Sequence, residues 1–151
     1  MSTRAATNHA TFTIEQNYPV RPEEIFAAWS DPAAKASWFS SAGASYALDF
    51  RVGGEETLAE TSEGPGWSFT ARYQEIRESE LILYSSAMHY RGTLATVSTT
   101  TVELLPTAEG TLLKLTEQGA FLSELEQPQW REQGTADWLQ KLRTHLTSTS
   151  V

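Results

Sequence analysis

The chain has 151 residues, 11 basic and 19 acidic side chains, a formal net charge of −8 and no cysteine. Nucleic acids and anionic membranes are bound largely through clustered Lys and Arg, so this charge balance argues against both as partners. Without cysteine the chain can form neither a disulfide nor a thiolate zinc site, and it has no cysteine nucleophile.

The length predicts one domain. We expect a flexible N-terminus over residues 1–10, a single domain over 11–146 and a frayed tail over 147–151. The first ten residues lack the apolar core of a signal peptide, and no apolar run is long enough to span a membrane. A cytoplasmic location is therefore the simplest expectation.

The first elements are predicted to be a strand and two short helices. Apolar and polar residues alternate from Phe12 to Tyr18, as in a half-buried strand. Pro22 and two glutamates then suit the first turn of a helix that reaches Trp29. Asp31 is a candidate N-cap for a second helix, which would end at Phe39.

The middle of the chain is predicted to be six strands, at residues 46–52, 55–61, 67–74, 81–84, 94–105 and 111–118. Met88–Thr93 is predicted as a loop around Gly92. In the fifth of these strands, apolar residues change from odd positions, Ala95 and Val97, to the even position Val102. This change of parity predicts a β-bulge or a bend.

The last element is predicted to be an amphipathic helix over Pro128–Leu146, with Trp138, Leu139, Leu142 and Leu146 on its apolar stripe. A glycine inside a helix costs about 1 kcal/mol relative to alanine. We therefore predict that another part of the molecule closely approaches the helix backbone at Gly134.

This order of elements predicts an α+β fold. Consecutive strands with short turns favour an antiparallel sheet of about seven strands. Two short helices follow the first strand, and the long C-terminal helix is predicted to pack across a sheet that curls around it.

Five segments of the chain resemble the activator of heat-shock protein 90 ATPase homologue family, at residues 19–39, 50–55, 73–83, 99–117 and 134–142. That family belongs to the START-like, or SRPBCC, superfamily, whose fold is the helix-grip fold of the birch pollen allergen. One departure is Thr135, because family members often carry Trp directly after the helix glycine. The resemblance implies the helix-grip fold for this chain.

The resemblance also implies candidate functions. Superfamily members of this size are typically carriers, sensors or cyclases that act on hydrophobic small molecules. Co-chaperone activity in the family goes with longer proteins that carry a further N-terminal domain. Three hypotheses follow: a non-catalytic binder of a hydrophobic, lipid-like or aromatic small molecule, a chaperone-associated or stress-response interaction module, and a polyketide cyclase-like enzyme. A homodimer is compatible with each of them.

Aromatic residues supply the candidate ligand-binding set. Large apolar side chains are mostly buried for packing, so for any single residue a core role is the simpler interpretation. On the predicted inner faces, the candidate ligand-binding residues are Trp29, Trp38, Phe39, Phe50, Trp67, Phe69, Tyr73, Tyr84, Met88 and Trp138, with Phe121 and Trp130 also facing the gap.

Polar candidates are fewer. Arg72, Tyr90 and Arg91 could orient a ligand. His89 is a weak candidate for proton transfer in a cyclase-like reaction, and Tyr84 and Arg91 are further candidates for that reaction. The simpler interpretation of His89 and its neighbours is an exposed connection. Five glutamates are interpreted as solvated, at positions 23, 24, 55, 56 and 60. The three histidines are isolated and no phosphate-binding glycine loop is present, so we expect no metal ion and no cofactor.

Overall fold

A computed structural model of the chain describes residues 7–41, 43–61, 63–122 and 125–148. Residues 1–6 of the predicted flexible N-terminus and 149–151 of the predicted frayed tail lie outside these ranges.

Within the described ranges the chain forms seven strands and three helices. The strands are β1 (Thr7–Tyr18), β2 (Ser45–Leu48), β3 (Glu55–Ala59), β4 (Trp67–Arg77), β5 (Leu81–Tyr90), β6 (Thr93–Thr107) and β7 (Gly110–Leu122). The helices are α1 (Pro22–Ser30), α2 (Pro32–Phe39) and α3 (Pro128–Ser148).

All seven strands form one antiparallel sheet in the order β1-β7-β6-β5-β4-β3-β2. Helix α3 packs against α1, α2 and β1. The predicted α+β helix-grip architecture is therefore confirmed, including the two short helices after the first strand. None of the helices in the described ranges is long and apolar enough to cross a membrane.

The first strand begins earlier than the sequence pattern predicted. It starts at Thr7 and pairs with β7 along its whole length, from Thr7 opposite Leu122 to Tyr18 opposite Thr111. Residues 7–10, which we expected to be flexible, are held by this pairing because β7 continues to Leu122 rather than ending near Gln118. Similarly, α3 continues through Ser148, two residues beyond its predicted end.

The two short helices begin as their sequences predict. Both have proline in the first turn, and the Asp31 carboxylate accepts a hydrogen bond of 2.9 Å from the backbone N–H of Ala34 at the start of α2. Such a cap satisfies one of the N–H groups that a helix start leaves unpaired.

The predicted loop at residues 88–93 was wrong. Strand β5 extends to Tyr90, and a two-residue turn of Arg91 and Gly92, with φ of 49° and 82°, connects it to β6. Positive φ at both central positions suits the twist of a tight hairpin.

The predicted bulge in β6 exists, but it lies nearer the start of the strand. The register with β5 shifts so that Met88 faces Thr96 and His89 faces Leu94, which leaves Ala95 as the extra residue. Val97 lies on the outer face and is 47% exposed. Even-numbered residues face inward from Thr96 onward, so three polar side chains, those of Thr96, Ser98 and Thr100, enter the core.

The core lies between the inner face of the sheet and the three helices. Its largest fully buried aliphatic and aromatic side chains are Tyr18, Ile25, Trp29, Trp38, Tyr73, Ile82, Leu113, Leu115, Phe121, Leu139 and Leu142. Leu139, Leu142 and Leu146 supply the buried stripe of α3, as predicted.

Candidate functional site

A cavity of about 210 Å³ lies between the middle of α3 and the inner face of the sheet. We call it the helix cavity. Its apolar and aromatic walls are Phe39, Leu58, Phe69, Tyr84, Met88, Trp130 and Trp138, and its other lining residues are Glu117, Glu126, Arg131, Gly134 and Thr135. Trp130, which is 61% exposed, places one side of the cavity at the molecular surface.

A second cavity, also of about 210 Å³, adjoins the first. We call it the strand cavity. It shares Phe39, Leu58, Phe69 and Met88 with the helix cavity, and Trp67 closes its far side. Ligand sites for larger molecules usually measure about 300 Å³ or more, whereas an apolar cavity of about 150 Å³ holds benzene. Each cavity is therefore large enough for a single ring.

Gly134 faces open space, which corrects the prediction made from its position in the helix. A Cβ atom built on Gly134 would meet nothing within 4 Å. The glycine is therefore not required by a close backbone contact. It lines the helix cavity instead, where the missing side chain leaves the surface of α3 accessible.

One end of the helix cavity carries three charged groups. Arg131 Nε lies 3.2 Å from Glu117 Oε2, and Arg131 Nη1 lies 3.5 Å from Glu126 Oε1. The Thr96 hydroxyl donates a hydrogen bond to Glu126 Oε1. Within the described ranges, Glu117 Oε2 and Arg131 Nη1 are buried without a hydrogen bond of good geometry, although both are in ion-pair contact.

Beneath the cavities, α1, α2 and α3 contribute a cluster of aromatic rings that mostly meet edge to face. The Trp138 ring lies 5.8 Å from Trp29, 5.6 Å from Trp38 and 5.4 Å from Phe39, measured between ring centroids. The indole N–H of Trp38 donates to the carbonyl of Ala28 at 3.1 Å. These contacts hold Trp138 as a fixed wall of the helix cavity.

A buried ion pair lies within this cluster. Lys35 Nζ is 3.0 Å from Glu56 Oε2, and it lies 4.7 Å from the Trp29 ring centroid and 4.5 Å from that of Phe39. Burial lowers the pKa of Lys35, and the Glu56 carboxylate opposes that shift. The interpretation of Glu56 as solvated was wrong, because its side chain faces inward from β3 with Lys35 against it.

Two tyrosines complete the partners of Glu56. Tyr46 donates to Glu56 Oε2 and Tyr73 donates to Glu56 Oε1, both at 2.6 Å. Burial, reinforced by the nearby Glu56 carboxylate, raises the pKa of both phenols far above the ordinary value of 10.0. Burial and the Glu117 and Glu56 carboxylates likewise raise the pKa of Tyr84. These hydroxyls therefore remain protonated donors in the folded protein.

Six of the ten predicted ligand-binding residues line one or both cavities: Phe39, Trp67, Phe69, Tyr84, Met88 and Trp138. Trp29, Trp38 and Tyr73 are buried beneath the cavities, and the ring centroid of Phe50 lies 5.0 Å from that of Tyr73. Of the two further aromatics, Trp130 lines the helix cavity and Phe121 is buried in the core.

The predicted polar residues do not converge on either cavity. Arg72 is exposed on the outer face of β4, and His89 is in neither lining. Arg91 Nε donates to the Pro65 carbonyl at 3.2 Å, and its guanidinium lies 5.3 Å from the Tyr90 ring centroid.

The sequence pattern did not identify the charged residues in and beneath the helix cavity, which are Glu117, Glu126 and Arg131 in its lining and the buried Lys35. Glu117 has the same strand parity as Leu113 and Leu115, and Lys35 lies three and four residues before Trp38 and Phe39 on one helix face. Both spacings indicate that these side chains face inward. Among the described residues, no group of three or more His, Asp or Glu side chains is arranged to hold a metal ion.

An antiparallel sheet that wraps a long C-terminal helix, with a cavity between them, defines the START-like class of proteins. Residues 19–147 match the family model described as "Activator of Hsp90 ATPase homolog 1-like protein". The chain therefore belongs to this family, in agreement with the resemblance seen in its sequence.

Solved structures of similar proteins agree with this assignment. A Rhizobium loti protein is 37% identical, with a TM-score of 0.87 over 93% of this chain and 99% of its own. A putative uncharacterised protein from Rhizobium leguminosarum is 33% identical, with a TM-score of 0.89 over 95% of this chain and 97% of its own. An AHSA1-like protein from Aeromonas hydrophila, 19% identical, has a TM-score of 0.70 over 92% of this chain and 93% of its own, and shows the fold alone. Among curated proteins, none matches the chain.

Proposed function

We propose that this protein binds a hydrophobic or aromatic small molecule between α3 and the sheet, without catalysing a reaction on it. The observation that carries the proposal is Gly134. It lies within α3, no neighbouring atom requires it, and it lines an aromatic cavity that reaches the surface. A glycine at this point lets a ligand lie directly against the helix.

The energetics of the cavity support an occupant. The cavity of about 210 Å³ reaches the surface at Trp130, so water can enter it. Water can form hydrogen bonds at the charged end, but the aromatic walls offer it few partners. An apolar ligand would remove these walls from water, which is worth about 25 cal/mol per Å² of apolar surface buried.

Support for binding without catalysis comes from the separation of the cyclase candidates. Tyr84 lines the helix cavity, whereas His89 and Arg91 do not. Proton transfer requires an acid or base within hydrogen-bond reach of the reacting group, and the two carboxylates in this cavity are in ion-pair contact with Arg131. Replacement of His89 with Ala is therefore expected to leave ligand binding unchanged.

Native mass spectrometry of the purified protein tests the proposal first. We expect an added small-molecule mass that disappears on denaturation, and extraction would then identify its chemical class. A weakly held ligand can be lost during purification, so a second test uses an added probe, 2-phenylethanol, followed by saturation-transfer NMR.

Two matched variants test whether the probe binds in the helix cavity. Gly134→Leu places a side chain in the helix cavity, whereas Gln140→Leu adds the same side chain at an exposed position of α3 outside both cavities. We expect Gly134→Leu to abolish binding of the probe and Gln140→Leu to retain it. Equal binding by both variants would contradict the proposed site.

A protein partner is a second proposal. The family description names an activator of a chaperone ATPase, and a groove beside the start of α1 is lined by Glu23, Glu24, Glu78, Glu80 and Glu109. An acidic groove suits a basic surface on a chaperone or another protein. A pull-down from the native cytosol that recovers no chaperone would count against this proposal.

A further inference from the structure

The charged end of the helix cavity carries an excess of negative charge. Its charged lining side chains are Glu117, Glu126 and Arg131, which is two carboxylates to one guanidinium. Only 3% of the Glu117 side chain, 12% of the Glu126 side chain and 11% of the Arg131 side chain are exposed. A buried site with one uncompensated negative charge favours a positively charged occupant.

The hydrogen-bond pattern also favours an occupant that donates hydrogen bonds. Thr96 already donates to Glu126 Oε1, but Glu117 Oε2 accepts no well-formed hydrogen bond within the described ranges. Buried acceptors in folded proteins nearly always have a donor. An occupant that brings a donor to Glu117 would therefore add the hydrogen bond that the ion pair with Arg131 does not supply.

The walls next to this end are aromatic. Trp130 and Trp138 line the same cavity, and aromatic ring faces attract cations. A carboxylate ligand would add a second uncompensated negative charge. A hydroxyl would satisfy Glu117 Oε2 but would leave the charge unbalanced. Arg131 does not exclude a cation, because its single positive charge offsets only one of the two carboxylates that it contacts.

From these observations we propose that the ligand carries a protonated amine, held against Glu117 and Glu126, with its apolar part between Phe69, Met88 and Trp138. This inference rests on the proposed function, because it assigns the chemistry of one end of the same cavity. The ligand class is therefore an apolar or aromatic amine.

Three probes with the same phenylethyl body and different head groups test the assignment: 2-phenylethylamine, 2-phenylethanol and 3-phenylpropanoate. The alcohol can also donate a hydrogen bond to Glu117, but only the amine adds an ion-pair attraction, so the amine should bind at least about tenfold more tightly than the alcohol. The carboxylate should bind most weakly. Calorimetric titration at one fixed salt concentration supplies the three Kd values.

Two substitutions assign the effect to this site. Glu117→Gln keeps the side-chain shape and removes the charge, so it should weaken the amine about tenfold. The alcohol should weaken less than the amine, because it loses a charge-assisted hydrogen bond but no ion pair. Glu55→Gln makes the same change at an exposed position of β3 and should leave all three Kd values unchanged.

The outcomes separate the two proposals. If the alcohol or the carboxylate binds the wild-type protein as tightly as the amine, the amine assignment is overturned and binding in the cavity stands. The same holds if Glu117→Gln folds and leaves the amine affinity unchanged. Absence of binding by all three probes would overturn both proposals. The wild-type comparison requires no variant, so poor folding of Glu117→Gln would not remove the test.

Discussion

Lys35 Nζ lies 3.0 Å from Glu56 Oε2, and only 2% of the lysine side chain and 1% of the glutamate side chain are exposed. Moving two charges out of water is costly, so such a pair persists only when its remaining donors and acceptors are satisfied. Here Tyr46 and Tyr73 donate to the carboxylate, and three aromatic rings surround the ammonium group. The pair joins α2 to β3 beneath the cavities.

Removal of one member of the Lys35–Glu56 ion pair should strongly destabilise the protein. We expect Lys35→Met to lower the free energy of unfolding by about 3–5 kcal/mol, because it leaves the Glu56 carboxylate buried without a cation. Urea denaturation followed by circular dichroism measures the change. A double variant with Lys35→Met and Glu56→Gln should recover most of the loss. A loss below about 1 kcal/mol in the single variant would resemble an exposed pair and contradict this account.

The fold should be sensitive to alkaline pH. Burial raises the pKa of Tyr18, Tyr46, Tyr73 and Tyr84 above the ordinary value of 10.0, which applies to the unfolded chain. Their contribution to stability is therefore complete below pH 10 and is lost as the pH rises further. Each such tyrosine adds about 1.4 kcal/mol per pH unit to this loss. Urea denaturation at pH 8, 10 and 11 should show an increasingly steep fall.

A tyrosine variant provides the control for this pH dependence. Tyr73→Phe should lower stability at pH 8 by about 1–3 kcal/mol, because Glu56 loses a donor. It should also make the alkaline fall shallower, because one titrating group is gone. An unchanged alkaline slope would show that Tyr73 does not contribute to it.

Two glycines should respond in opposite ways to the same substitution. Gly134→Ala should raise stability by about 1 kcal/mol, because α3 gains a better helix former and the new Cβ meets nothing within 4 Å. Gly110→Ala should be strongly destabilising, since its φ is 151° and the new Cβ would lie 2.1 Å from the Tyr18 carbonyl oxygen. Thermal unfolding of both variants checks the pair. A destabilised Gly134→Ala would mean that the helix needs the glycine itself.

The stability of the protein should depend on Arg131, the single guanidinium at the charged end of the helix cavity. Arg131→Met leaves the Glu117 and Glu126 carboxylates without the cation that contacts both, so we expect a loss of about 3–5 kcal/mol. Addition of Glu117→Gln to this variant should restore part of the stability, because it removes one of the two negative charges. Chemical denaturation of the single and double variants measures the recovery. No recovery would indicate that packing of the arginine stem, rather than its charge, stabilises this end.

Hydrophobic periodicity was sufficient to predict the fold. Alternation identified the strands, and the apolar stripe through Leu139, Leu142 and Leu146 identified the helix that the sheet wraps. Strand ends were less predictable. Residues 7–10 form a strand because β7 is there to pair with them, and pairing between distant segments is not visible in local sequence.

The candidate site was predictable only in its apolar part. Aromatic residues on inner faces could be named, but their positions could not separate Phe69, which lines the cavities, from Tyr73, which lies beneath them. The charged residues were missed because an isolated Glu or Lys is usually solvated. Glu56 is buried because α2 places Lys35 against it, and that arrangement exists only in three dimensions.

The pairing of β1 with β7 also has a consequence for synthesis of the protein. The hairpins β4-β5 and β5-β6 join neighbours in sequence and can form as soon as they leave the ribosome. Strand β1 is made first, yet its partner β7 is the last strand of the sheet to be made. Pairing of distant segments is slow, and unpaired strand edges are prone to aggregate. We therefore expect the nascent chain to carry an open strand until translation is almost complete, and its yield to depend on protection during that interval.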